Sequence, residues 1–187
     1  MNIKYKFSDY NRSISNLLLS ISDKKLTETI KMIKKTIAQK GTIYIVGNGG
    51  SASIASHVSV DFAKVSRIKS STFNNANLIT CFANDYGYEN WLKAAIKYYT
   101  KTNDLVVLLS VSGKSKNLIN AANFCKKKKI KLITITGAKK NNPLSKKGTI
   151  NYWINSKAYN IVETVQMAIL SSIVDRTIGK SEYPPNL

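Results

Sequence analysis

Residues 44–64 read YIVGNGGSASIASHVSVDFAK. An apolar run stops at Gly47-Asn48-Gly49-Gly50-Ser51, and the residues after it have the composition of a helix carrying the chain's one histidine, His57. Apolar residues that end abruptly at glycines are the pattern of a buried strand passing through a tight turn into a helix. Extended outward, the strand is TIYIV (42–46) and the helix covers 51–66. The alternation then repeats. NLITCF (77–82) reads as a strand before a helix at 88–99, and DLVVLLSV (104–111) as a strand before a helix at 115–128. KLITIT (131–136) is a strand followed by a loop with Pro143, and INYWI (150–154) a last strand before a long closing helix, 158–178.

Strands rich in Ile, Val and Leu that alternate with helices pair in parallel and are covered on both faces. The expected fold is therefore α/β, a three-layer αβα sandwich around a parallel sheet. Two helices precede it, one over 8–22 (Ile14, Leu17, Leu18, Ile21) and one from Asp23 (Leu26, Ile30, Ile33, Ile37). Together they span 8–40 and are expected to form a hairpin or an association surface. No linker, repeat or low-complexity segment divides residues 1–187, so one domain is expected.

Composition excludes several classes of function. No apolar run approaches the ~18 residues of a membrane span, and MNIKYKFSDYNRS lacks the apolar core of a secretory leader. Cys81 and Cys125 show neither metal spacing nor a disulfide framework, which points to a reducing cytoplasm. The net charge is +19, but 26 of the 29 basic residues are lysine. Readers of nucleic acid lean on arginine for bidentate base contacts, so a nucleic-acid partner is not expected. A lysine-rich solvated surface attracts anionic small molecules instead.

In a parallel sheet ligands collect beyond the carboxyl ends of the strands. Two loops there have suitable chemistry. Gly47–Ser51 is neither GxGxxG nor a Walker loop, yet its glycines allow close backbone approach and the next helix presents amide hydrogens to an anion. The bland alternative is a tight turn. LLSVSGKSKNLINA (108–121) places Ser110, Ser112 and Ser115 around Gly113 at a helix start, a set of hydroxyl donors suited to phosphate oxygens. The alternative there is one capping serine among turn residues.

GNGGSA, His57, ANDYGYE, SVSGKS and ITITG, in this order, resemble the SIS (sugar isomerase) domain family, and more narrowly its phosphoheptose isomerases; the likeness runs from residue 8 to 178. The resemblance implies a flavodoxin-like five-stranded sheet and a homotetramer with active sites at subunit interfaces. It implies a phosphorylated sugar as partner and aldose–ketose isomerisation of sedoheptulose 7-phosphate through a cis-enediol, serving lipopolysaccharide or capsule synthesis. Its substrate loop falls on Asn48, Gly49, Gly50 and Ser51, its Asn-Asp pair on Asn84 and Asp85. Its phosphate loop falls on Ser110, Val111, Ser112 and Ser115, with valine where threonine is common. It implies zinc, for which this chain offers His57, Asp61 and Glu163; Asp61 replaces the family's glutamate and Glu163 its glutamine. Ser171 stands where the family's last ligand is histidine. Asp61 takes the place of the base, with Glu163 a second carboxylate and His57 a ligand or acid. Two other outcomes stay open: a catalytically reduced sugar-phosphate-binding regulator similar to the initiator-binding SIS proteins, or an isomerase for another sugar phosphate.

Overall fold

Strand residues that are apolar at every position need cover on both faces, and here two helical layers supply it. A computed structural model of the chain describes residues 5–184. After helices α1 (Phe7–Leu19) and α2 (Asp23–Ala38) come β1 (Ile43–Gly47), α3 (Gly50–Lys64), β2 (Ser70–Ser71), α4 (Ala76–Tyr86) and α5 (Trp91–Tyr99). β3 (Leu105–Ser110), α6 (Lys116–Lys127), β4 (Lys131–Thr136), β5 (Ile150–Trp153) and α7 (Tyr159–Ile178) complete the chain order. The strands are all parallel in the order β2-β1-β3-β4-β5, the doubly wound flavodoxin-like arrangement.

Period-two alternation sorts the strand side chains between two cores. Ile43, Ile45, Leu105, Val107, Leu109, Ile133 and Ile135 pack with Val58 and Phe62 of α3 and with Val165, Ile169 and Ile173 of α7. Val46, Val106, Leu108 and Leu132 face the other way, onto Trp91, Leu92 and Ile96 of α5 and Leu118 and Ala122 of α6. Cys125 is buried in this second core, while Cys81 is exposed; both are free thiols. No described helix is long and apolar enough to cross a membrane.

One expected element changes identity. NLITCF (77–82) lies inside helix α4 rather than forming a strand. Asn75 starts that helix, its side chain accepting from the Asn77 and Leu78 amides. Leu78, Ile79, Phe82 and Ala83 recur at helical spacing and pack on the second core. The fifth strand is instead Ser70–Ser71, paired with Ile43 and Tyr44. It contains no apolar residue, so hydrophobic patterning could not register it.

Strand register sets the loops at one height. Ile43 pairs with Leu105 and Gly47 with Leu109, while Ser110 pairs with Thr136. The carboxyl ends of β1, β3 and β4 therefore finish side by side. The chain leaves β1 toward β2 and leaves β3 toward β4, in opposite directions, which opens a crevice between the two loops.

The amino ends of the same two strands are pinned by buried Asp104. Its carboxylate accepts from the Thr42 amide at 2.7 Å and the Lys101 amide at 2.7 Å. Asp104→Ala removes both charge-assisted bonds and is expected to destabilise the chain by about 1.5–3 kcal/mol. In urea unfolding the midpoint should fall with the slope unchanged.

Candidate functional site

The β1–α3 turn owes its shape to its glycines. A Cβ on Gly47 would come within 2.6 Å of the Ser51 Cβ, and Gly49 sits at φ 56°, open to glycine at no steric cost. Asn48 between them is held by a reciprocal amide pair with buried Asn117 of α6, 3.0 Å in each direction. Ser51 Oγ donates to Gln166 Oε1 at 2.9 Å, and Gln166 Nε2 donates to the Ile135 carbonyl at 3.4 Å. The β1–α3 turn is thus tied to α6, and the first turn of α3 to α7, whose Gln166 is in turn bonded to β4.

The serine loop is braced from a different side. Gly113 has φ 64°, and a Cβ there would fall on the side chain of Asn142. Buried Asn142 in turn donates to the Gly137 and Lys139 carbonyls and accepts from the Ser145 amide. Ser110 Oγ accepts from the Gly113 amide at 3.0 Å and Ser112 Oγ from the Lys114 amide at 3.2 Å. A hydroxyl that accepts from an amide retains its own O–H to donate. Ser115 holds the N-cap position of α6 but makes no capping bond with its side chain. The capping role that would have made this serine structural is therefore not exercised.

These loops share one cleft of ≈ 320 Å³. Asn48, Gly49, Gly50, Ser51, Ser110, Val111, Ser112, Ser115 and Glu163 all line it, together with Leu109 and Tyr159. The amino termini of α3 and α6 both begin here, and their unpaired amides and dipoles favour a bound anion. Glu163 is the cleft's one carboxylate. It lies where a Cβ on Gly50 would be, so the glycine makes room for it. Asn48 and Ser115 also border a second hollow of ≈ 600 Å³, lined by Tyr86, Tyr88, Glu89 and Lys116.

Other expected site residues lie elsewhere in the chain. Asn84 and Asp85 occupy the exposed last turn of α4, Asn84 Nδ2 donating to Asp85 Oδ1 at 3.1 Å, and neither lines the cleft. His57 Nε2 and Asp61 Oδ2 are 3.2 Å apart on α3, with 61% and 28% of their side chains exposed. One helical turn separates them, which brings them together, but α3 carries them away from the cleft. α3 and α7 run parallel: Gly50 meets Glu163, Ser51 bonds Gln166, and Ser66 Oγ accepts from Thr177 Oγ1. At 1.5 Å per residue Asp61 is displaced about 16 Å along α3 from Gly50. Its neighbour on α7 is Asp175, whose carboxyl is raised above the ordinary value by burial and then by Asp61.

Among the described residues no group of three or more His, Cys, Asp or Glu side chains is placed to hold a metal ion. His57, Asp61 and Glu163 therefore do not form one zinc centre within a single chain, and the helical rise is the reason. Sequence patterning also missed Asn117, Asn142, Tyr159 and Gln166. Asn117 and Gln166 are buried amides within helices, a polar interruption that could have flagged them. Tyr159 carries no such signal.

Residues 9–137 match the family model described as SIS domain. The chain is similar to the phosphoheptose isomerase of Thermodesulfovibrio yellowstonii, with 33% identity over 65% of this chain and 63% of that protein. It is 32% identical to the phosphoheptose isomerase of Buchnera aphidicola subsp. Acyrthosiphon pisum, over 72% and 74% respectively. The fold is that of a phosphoheptose isomerase from Francisella tularensis, with TM-score 0.86, 18% identity and coverage of 96% of this chain and 100% of the other. A Neisseria gonorrhoeae phosphoheptose isomerase gives TM-score 0.85 at 18% identity, covering 92% and 95%.

Gly50→Ala tests the seat of Glu163. The carboxylate sits on a movable side chain, so the melting temperature should change little while sugar-phosphate affinity drops about tenfold as Glu163 is pushed into the cleft. Calorimetric titration beside a thermal melt reads both.

Proposed function

The chain belongs to the SIS domain family and, within it, to the phosphoheptose isomerases, and we propose that it interconverts sedoheptulose 7-phosphate and D-glycero-D-manno-heptose 7-phosphate. The observation that carries this is the single cleft shared by the Asn48–Ser51 turn, the serine loop and Glu163. The phosphate binds the Ser110, Ser112 and Ser115 hydroxyls and the amides opening α6, and its binding energy holds the sugar in place. Asn48, fixed by Asn117, meets the sugar hydroxyls.

The reaction itself needs a base and an acid. The base takes the proton from the carbon α to the carbonyl, the carbonyl oxygen is protonated, and a cis-enediol forms. Return of the proton to the former carbonyl carbon, with loss of the O–H proton on the carbon first deprotonated, forms the new carbonyl there and completes the isomerisation without any external oxidant. Asp61 is the base, His57 the acid and Glu163 a second carboxylate in this proposal. Since Asp61 lies well along α3 from its own cleft, the His57–Asp61 pair serves the cleft of another copy. A homotetramer results, with the α1–α2 surface in contact; Phe7 and Leu19 of α1 are 75% and 85% exposed in the single chain. Where the pair meets that other cleft, His57 and Asp61 from one copy and Glu163 of the other would hold a zinc ion, which would polarise the two reacting sugar oxygens. The enzyme acts in the cytoplasm, and its product feeds lipopolysaccharide or capsule synthesis.

Two variants separate the halves of the site. Ser112→Asp should abolish phosphate binding by charge repulsion, and Asp61→Asn should retain binding but lower turnover about 10²–10⁴-fold. Co-refolding the two should restore part of the activity, because some sites then combine an intact cradle with an intact pair. Turnover restored in neither mixture nor wild type, with sugar-phosphate binding kept, would leave a binding protein and not an isomerase.

A further inference from the structure

The amino end of the sheet carries a different chemistry from the carboxyl end. From Leu105 to Val162 the chain has twelve lysines and no aspartate or glutamate, all ten acids lying outside that stretch. General enrichment in lysine does not remove carboxylates, so their absence is a separate observation. Five of these lysines, Lys126, Lys129, Lys131, Lys146 and Lys147, line one cleft of ≈ 350 Å³, whose other lining residues are uncharged.

The five arrive from three segments: the end of α6, the first residue of β4, and the loop before β5. Lysines at the end of a helix are explained by its dipole. That accounts for Lys126, but not for Lys131, Lys146 or Lys147, which belong to other elements. No ion pair among the described residues reaches any of the five. Lys131 Nζ donates only to neutral oxygens, Gln39 Oε1 at 3.0 Å and Thr36 Oγ1 at 3.5 Å. Asp104, the acid that acts on it, already accepts from two backbone amides. Burial, and then Lys35, lower the Lys131 ammonium below the ordinary lysine value. Like charges lining one cleft repel, with screening over a Debye length of about 8 Å at physiological salt, and a bound anion relieves that repulsion.

We propose that this cleft binds a small polyphosphate anion, a molecule carrying two or more linked phosphates, at a site separate from the isomerase cleft. Its volume is in the range of small-ligand pockets. Ammonium groups act as point charges without the planar fork that reads a base edge, so they select charge density. The site lies at the Leu105–Lys131 end of the register, opposite the Ser110–Thr136 end. Six residues of β4 at about 3.3 Å each separate the two ends.

The experiment titrates the full chain with inorganic tripolyphosphate by calorimetry, at physiological salt, beside sulfate at matched ionic strength. In the Ser112→Asp chain, whose serine cradle repels phosphate, one saturable site is expected for tripolyphosphate, with a rise in melting temperature that sulfate does not match. Lys129→Gln combined with Lys146→Gln should weaken binding at least tenfold. Lys129→Arg with Lys146→Arg should retain it, which separates lost charge from lost fold. Lys93→Gln with Lys97→Gln on α5, and Ser112→Asp in the serine loop, should leave it within twofold. Equal loss in the α5 pair, or an equal effect of sulfate, would reduce the cleft to diffuse screening and overturn the proposal. Loss in Ser112→Asp would put the anion in the serine cradle and overturn it as well. So would a single-stranded RNA oligonucleotide that binds more tightly than tripolyphosphate and is released by the same Lys129/Lys146 change.

Discussion

Parallel pairing of β1 with β3, in register from Ile43–Leu105 to Gly47–Leu109, is the constraint on which the site depends. It brings two loops remote in sequence to the same height, and the opposite departures of the chain keep them from closing over one another. Asp104 holds one end of the pair through backbone amides, and the Asn48–Asn117 amide pair holds the other. Between these ends the strands carry apolar residues that both helical layers cover.

The cleft so formed combines neutral donors with a single negative group. Hydroxyls and amide hydrogens suit a phosphate, while Glu163 sits at the edge of the same space. Like charges in one cleft are compatible only if the phosphate and the carboxylate occupy different parts of it. The serine loop and α6 amides form one part, and Gly50 with Glu163 the other. That division matches a substrate with an anionic tail and a reacting end several carbons away. The lysines, by contrast, concentrate where no hydroxyl cradle exists, at the far end of β4. One sheet thereby offers anions two unlike environments, directed donors at its carboxyl end and undirected charge at its amino end.

The substrate and phosphate loops were legible in the sequence because glycine and serine at a strand end have local consequences. Nine residues named from the sequence meet in one cleft. NLITCF was not legible, since an apolar run of that length fits either a strand or a helix face. The Asn75 cap and packing of Leu78 and Phe82 on the second core settle it as helix. Ser70–Ser71 was invisible for the converse reason: its pairing rests on backbone hydrogen bonds alone, and no side chain advertises it.

Layer architecture, the parallel sheet and the chemistry of its two loops follow from periodicity and residue type, which act over a few neighbouring positions. Distances between helices do not follow from them. His57, Asp61 and Glu163 look like one constellation when aligned as motifs. Within one chain, packing α3 parallel to α7 sets Glu163 against Gly50 and carries Asp61 away toward Asp175. Helical rise and side-by-side packing, which no local pattern encodes, thus divide the ionisable groups between the cleft and the exposed face of α3.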